Sequence, residues 1–162
     1  MENARTIVRG NVVSTSLEPH PQFLNLQTVV VTIAVAKSFK GQVGSTLTFR
    51  QYVWDTKEFP NAGGYHKAEE LLLFLNPESA YGLTSPVGME QGHFRVLHDN
   101  KGNRYAVNGR GNVGLFSDVL SKSAAHGVTF SAQAKAMLSK AGGQVALSTL
   151  EETIQGLVGS QR

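Results

Sequence analysis

The run Leu26-Gln27-Thr28-Val29-Val30-Val31-Thr32-Ile33-Ala34-Val35-Ala36-Lys37-Ser38-Phe39 decides the fold class. β-Branched residues favour the extended backbone, and successive residues of a strand point to opposite faces. Val29, Val31, Ile33 and Val35 therefore share one face, and Thr28, Val30, Thr32, Ala34 and Ala36 share the other. A strand of this length is expected to coil or bend, as strands of barrels and sandwiches do. Lys40-Gly41 ends it.

Outward from this run, the neighbouring segments also read as strands. Ile7 to Ser16 is rich in β-formers, with Gly10 as a bend or bulge. Pro19 and Pro21 interrupt it in a polar loop that carries His20. After the central run, Ser45 to Trp54 alternates Leu47, Phe49, Gln51 and Val53 with Thr46, Thr48, Arg50, Tyr52 and Trp54. A Gly-rich loop spans Asp55 to about Lys67, with Pro60 and Gly63-Gly64. Glu70 to Asn76 is a short apolar strand. Glu78 to Gly92 is a loop with turn signals at Tyr81-Gly82, Ser85-Pro86 and Gly88. Gly92 to His98 and Arg104 to Val107 form a hairpin about Asp99-Asn100-Lys101-Gly102, with Gly102 as the left-handed residue. Asn108 to Asn112 leads into another loop.

The composition changes near Ser131. Ala132, Lys135, Ala136, Met137, Leu138 and Lys140 are helix formers, capped by Thr129 or Ser131 and stopped by Gly142-Gly143. Val145 to Leu147 is a short extended piece. Ser148-Thr149-Leu150-Glu151 fits a capping box, and Leu150, Ile154, Leu157 and Val158 follow at helical spacing. Strands that follow one another without helical crossovers pair antiparallel. The expected architecture is mainly β: a small antiparallel β-barrel of five or six strands over residues 1–128, with two short C-terminal helices over residues 129–162 packed on the same domain.

Length and composition agree with one domain. The 162 residues are 41% hydrophobic and 17% charged, which suits a packed core. The chain has no Cys, which excludes disulfides, zinc–thiolate sites and cysteine nucleophiles. A net charge of +3 is too small for a nucleic-acid footprint unless it is concentrated in one patch. The run Val29 to Ala36 falls far short of the about 20 residues of a membrane-spanning helix. Met1 is followed by Glu2 and Asn3 with no apolar leader core, which fits either a cytoplasmic protein or an exported one whose leader has been removed. Gly159 to Arg162 is expected to fray.

Few residues suggest chemistry. His20, His66, His93, His98 and His126 show no metal-ligand spacing, and His93 and His98 should point to opposite sheet faces. Glu69 and Glu70 are adjacent, so they too should splay; they read as solubilising gatekeepers at a strand start. A carboxylate pair would need a distant partner such as Asp55, Glu58 or Glu90. Asn108 to Gly114 is Gly-rich but lacks the flanks of a phosphate loop. No serine sits in a nucleophile elbow. Arg50, Tyr52 and Trp54 form a basic–aromatic stripe on one strand face, and Arg95, Arg104 and Tyr105 lie on the later hairpin.

Several blocks resemble a group of predicted exported bacterial and archaeal proteins of uncharacterised function. The blocks are Val8-Arg9-Gly10-Asn11-Val12-Val13-Ser14; Thr28 to Thr32 running on to Lys40-Gly41; Leu47-Thr48-Phe49-Arg50-Gln51; Ala68-Glu69-Glu70-Leu71-Leu72-Leu73-Phe74-Leu75; and Gln91-Gly92-His93-Phe94-Arg95-Val96. The likeness spans roughly Ile7 to Asn108 and continues more weakly into the last helix. Ala68 stands where a glycine is usual in that group. The resemblance implies a barrel of oligonucleotide-binding-like or netrin-like topology in an extracytoplasmic (periplasmic or secreted) setting, and it assigns no catalytic residue.

The expected role is a non-enzymatic protein-interaction or structural module with no cofactor and no metal. It meets a protein partner or a second copy through a surface patch or an exposed sheet edge. The candidate surface residues are Arg50, Tyr52, Trp54, His66 and Arg95. The alternatives are a single-stranded nucleic-acid-binding barrel, for which no specific binding is expected, and a hydrolase whose loops bring His66 and His93 to Asp55 or Glu90.

Overall fold

A computed structural model describes residues 1–161; Arg162 and the side chains of Thr56, Glu58, Pro60 and Asn61 lie outside the described residues, and with them the expectations for Glu58 and for the last residue of the tail. The chain begins with two 14-residue strands, β1 (Thr6–Pro19) and β2 (Gln27–Lys40). They pair antiparallel, and their register slips at Ile7/Val8, Arg9/Gly10 and Val12/Ser14. Such slips bend and twist a strand pair. Gly10 stands at the second slip, where a side chain would run into the Ala34 carbonyl and into Ile33 Cγ2 at 2.7 Å. The two backbones close at this point because the residue has no Cβ.

β3 (Thr46–Tyr52) pairs with the outer side of β2, and β4 (Glu70–Leu75) with the other side of β1. β5 (His93–His98), β6 (Arg104–Asn108) and the two-residue β7 (Val145–Ala146) extend the sheet beyond β4. The β5–β6 turn is the one the sequence predicts: Gly102 has φ +83°, and the Asp99 carboxylate accepts the amides of Lys101 and Asn103.

The sheet order is β3-β2-β1-β4-β5-β6-β7, with β3 and β7 as the outermost strands. This open, seven-stranded antiparallel sheet overturns the expected five- or six-stranded barrel, and the oligonucleotide-binding-like topology with it. The physical reason lies in how the two faces are covered. Under one face Val29, Val31, Ile33, Phe49, Leu71 and Leu73 pack with Tyr65, which follows the 3₁₀ segment Thr56–Gly64. Under the other, Ile7, Phe39, Leu72, Phe74, Phe94 and Ala106 meet the helices. β4 serves both cores through alternate residues. Each face thus acquires its own cover from segments outside the sheet, and closure is not needed to bury it. On the second face of β2, Ala34 and Ala36 stay exposed.

Three helices are present among the described residues, not two. α1 (Val119–Ala125) follows Asp118, which has φ +63° and makes no side-chain cap. α2 (Ala132–Leu138) starts where Ser131 Oγ accepts the Ala134 amide at 3.2 Å, one of the two caps expected. α3 (Leu147–Ser160) buries Leu150, Ile154 and Val158 as its spacing predicts, while Leu157 is only half-buried. Its expected capping box does not form: the N-cap position is Ala146, without a side-chain bond. Glu151 is used elsewhere, as described below.

Candidate functional site

β3 is the long exposed edge of the sheet. Ser45 O accepts the Val35 amide at 2.8 Å, and the Val53 amide donates to Gln27 O at 3.0 Å, so the odd-numbered backbone groups face β2. By strand alternation the amides and carbonyls of Thr46, Thr48, Arg50 and Tyr52 face away from the sheet. One of them is taken: the Thr84 amide donates to Arg50 O at 2.9 Å. Pro86, in the same loop, forms a bridge to Leu75. Among the described residues no backbone hydrogen bond reaches the outward groups of Thr46 or Thr48, and both residues are exposed. β3 reads Thr-Leu-Thr-Phe-Arg-Gln-Tyr and contains no Lys, Asp, Glu or Pro. Those are the residues that usually blunt an edge against pairing.

An aromatic end adjoins this edge. The rings of Tyr52 and Trp54 meet edge-on at 4.8 Å, and Trp54 is 76% exposed. Arg50 sits beneath them in sequence but is not free. Its guanidinium bonds Glu18 Oε1 and Thr28 Oγ1, each at 2.7 Å, which ties β3 across β2 to β1. The hydrogen bond from Arg50, helped by one from Ser16, holds the Glu18 carboxyl below its ordinary range.

The β1–β2 loop adds a second aromatic pair. His20 is buried, where the sequence reading placed it in a polar loop. Its Nδ1 accepts the Gln22 amide at 3.1 Å, which assigns the proton to Nε2, and Nε2–H donates to Tyr81 O at 2.7 Å. Phe23 packs on His20 and meets Tyr81 edge-on, both at 5.2 Å. Leu24 and Tyr81 remain exposed at the tip. Sequence reasoning missed Phe23, Leu24 and Tyr81. The available signal was an apolar Phe-Leu pair in a loop otherwise rich in Pro, Gln and Asn; Tyr81 registers only as part of a turn.

The five candidate surface residues fall into two groups. Arg50, Tyr52 and Trp54 stand together at the C-terminal end of β3. His66 and Arg95 belong instead to the surroundings of His93, on the sheet face that Tyr65 covers. The His93 ring stacks on Tyr65 at 4.9 Å, 15° from parallel. Tyr65 O–H donates to Gln51 Oε1 at 2.7 Å. His93 Nε2 is buried and has no hydrogen-bond partner among the described residues. Burial, then the charges of Arg95 and His66, pull the His93 pKa down to about 4. Burial likewise pushes the Tyr65 phenol above its ordinary value. Among the described residues neither imidazole bonds Asp55 or Glu90.

The two carboxylates have separate partners, with Glu69 just ahead of β4 and Glu70 its first residue. Glu69 accepts the His66 amide at 3.4 Å. Glu70 faces the helix side, where it takes Arg9 at 2.8 Å, Arg104 at 3.2 Å and His98 at 3.2 Å. Its side chain is 11% exposed, so the gatekeeper reading fails for Glu70. Arg9 also bonds Glu151 of α3, and Lys37 reaches the other Glu151 oxygen at 3.1 Å. Burial opposes the Arg9 charge, but the bonds to Glu151 and Glu70 outweigh it and raise the Arg9 pKa. This is a lock between sheet and helix. His98 lies in it, on the face opposite His93, as the spacing predicts.

Among the described residues no three His, Asp or Glu side chains converge to hold a metal ion, and no helix is long and apolar enough to cross a membrane. No protein-family model, no curated protein and no solved structure matches the chain. Together with the open sheet, this withdraws the resemblance to exported barrel proteins: its blocks consist of ordinary strand residues that an unrelated β-sheet also needs.

Proposed function

We propose that the protein is a protein-interaction module that takes an extended segment of a partner along the free part of β3. The observation that carries this reading is the unblunted edge at Thr46–Thr48, whose outward amides and carbonyls are not used within the sheet. Strand addition supplies affinity through such main-chain groups and specificity through alternate side chains. Tyr52 and Trp54 lie at the end of the same strand and provide an aromatic anchor, the side-chain type that dominates protein interfaces. A nucleic-acid role is less well supported. Arg50, the cation of the basic–aromatic stripe, is occupied by Glu18, and phosphate binding calls on several free cations.

The test is site-specific photo-cross-linking in extracts of the source cells, with the cross-linking residue at Thr48, at Trp54, or at Ser160 on α3 as a control. Discrete protein adducts from the first two positions and not from the third support strand addition. No adduct, or the same adducts from all three positions, overturns it. A covalent dimer of this chain would identify the partner as a second copy.

A further inference from the structure

We infer that the protein holds a binding site for a small neutral apolar molecule, an aromatic ring or a short hydrocarbon chain, between the sheet and the helices. A cavity of about 230 Å³ lies there. Phe74 of β4 and Phe94 of β5, with ring centroids 5.6 Å apart, form the sheet wall. Leu150 and Ile154 of α3 and Leu138 of α2 form the opposite wall. Protein interiors leave few voids larger than a water molecule. An apolar cavity of about 150 Å³ stays dry and accepts benzene, so this one has room for a substituted ring or a chain of roughly eight carbons.

The polar groups around the cavity narrow the ligand class. Thr153 Oγ1 donates to Thr149 O at 2.8 Å, so its hydroxyl hydrogen is committed within the helix. Gln91, the other lining residue with a polar side chain, is exposed at the rim, and Met1 also lines the cavity, where burial and then the charge of Lys40 lower the pKa of its amine and so favour the neutral form. A ligand with a buried charge or several hydrogen-bonding groups would lose its hydration without replacement. Val87 and Val119 of the lining are half-buried, unlike the sheet and α3 walls. The rim depends on Gly92: a Cβ there would lie 2.7 Å from Val87 O and 2.9 Å from Phe74 O, so only glycine lets this turn press onto β4. The site uses no residue of β3, so it stands or falls apart from the strand-addition reading.

The experiment is methyl NMR of the intact chain titrated with benzene, toluene and 1-octanol, alongside thermal unfolding. The site predicts that the methyl signals of Leu150 and Ile154 move while those of Val31 and Ile33, in the other core, do not, and that the melting temperature rises with ligand concentration. Val119→Phe, which fills the rim, should weaken binding by about tenfold or more, and Leu115→Phe serves the same purpose if the first variant does not fold. Thr153→Val should bind the probes at least as well as wild type. Absence of Leu150 and Ile154 shifts up to the solubility limit of all three probes, or equal binding by the filled variants, overturns the site.

Discussion

At His93, burial and the charges of Arg95 and His66 act in the same direction and hold the imidazole neutral, with a pKa of about 4 in the folded chain. The unfolded chain titrates near 6.5. Above that value the residue is neutral in both states and its contribution to stability is fully present. Between about 6.5 and about 4 the unfolded state takes up a proton that the folded state refuses, so stability falls as pH falls through this window, by at most about 3 kcal/mol. His93→Phe keeps a ring against Tyr65 and removes the unpartnered Nε2. Urea unfolding at pH 7.5 and 4.5 should show the variant as stable as wild type or more so at the higher pH, and less sensitive to acid. Equal acid sensitivity in the two proteins would show that His93 is not held neutral. The role of Gly10 was legible because a glycine amid β-branched residues has few other uses. The burial of His20 was not, because its partner Tyr81 lies 61 residues away and the contact exists only once two loops meet.

At the scale of elements, α3 is attached by its apolar face and by Glu151. Removing Glu151 leaves Lys37 without its counter-charge and Arg9 with Glu70 alone, so Glu151→Ala should cost about 1 to 3 kcal/mol, whereas exposed Glu152→Ala should fall within about 0.5 kcal/mol of wild type. Ser148→Ala should also be close to neutral, since no side-chain cap is present at the start of α3. Leu150→Ala and Ile154→Ala should each cost about 2 to 5 kcal/mol. Denaturant unfolding of this set checks the attachment, and a large loss from Ser148→Ala would restore the capping box. The box was misread because Ser-x-x-Glu satisfies the pattern while the same carboxylate has two cations within reach on the sheet, a competition that local sequence does not display. The apolar spacing of α3 and the strands of the β1–β2 and β5–β6 pairs were legible because burial imposes its period directly on them. α1 was not: α2 has the same seven-residue length but starts at a Ser131 cap, whereas no side chain caps α1, which is held from outside by Val119 and Leu120 against the core.

At the scale of the molecule, alternating sequence established antiparallel strands but not whether the sheet closes. Closure depends on what covers the faces. Here Tyr65, beside the 3₁₀ segment, lies on one face and three helices lie on the other, and neither cover is periodic enough to be read in advance. The cost of that misreading was functional as well as structural, because a barrel has no edge and the open sheet leaves β3 as one. Of the surface anticipated from sequence, Arg50, Tyr52 and Trp54 do come together, and Arg50 ties the strand to Thr28 and Glu18. His66 and Arg95 were grouped with them by charge and residue type, which carry no information about the face on which each falls. The central claim, that β3 receives an extended segment, is tested most directly by selecting peptides against the intact protein from a random linear library and measuring their affinity for Thr48→Pro. Proline there removes one outward amide from an edge strand, a position where it is tolerated, and circular dichroism checks that the variant stays folded. Selected peptides should bind the wild type and lose about tenfold or more in affinity for Thr48→Pro, from the lost main-chain pairing. Peptides that bind the folded variant as tightly as wild type would contradict it.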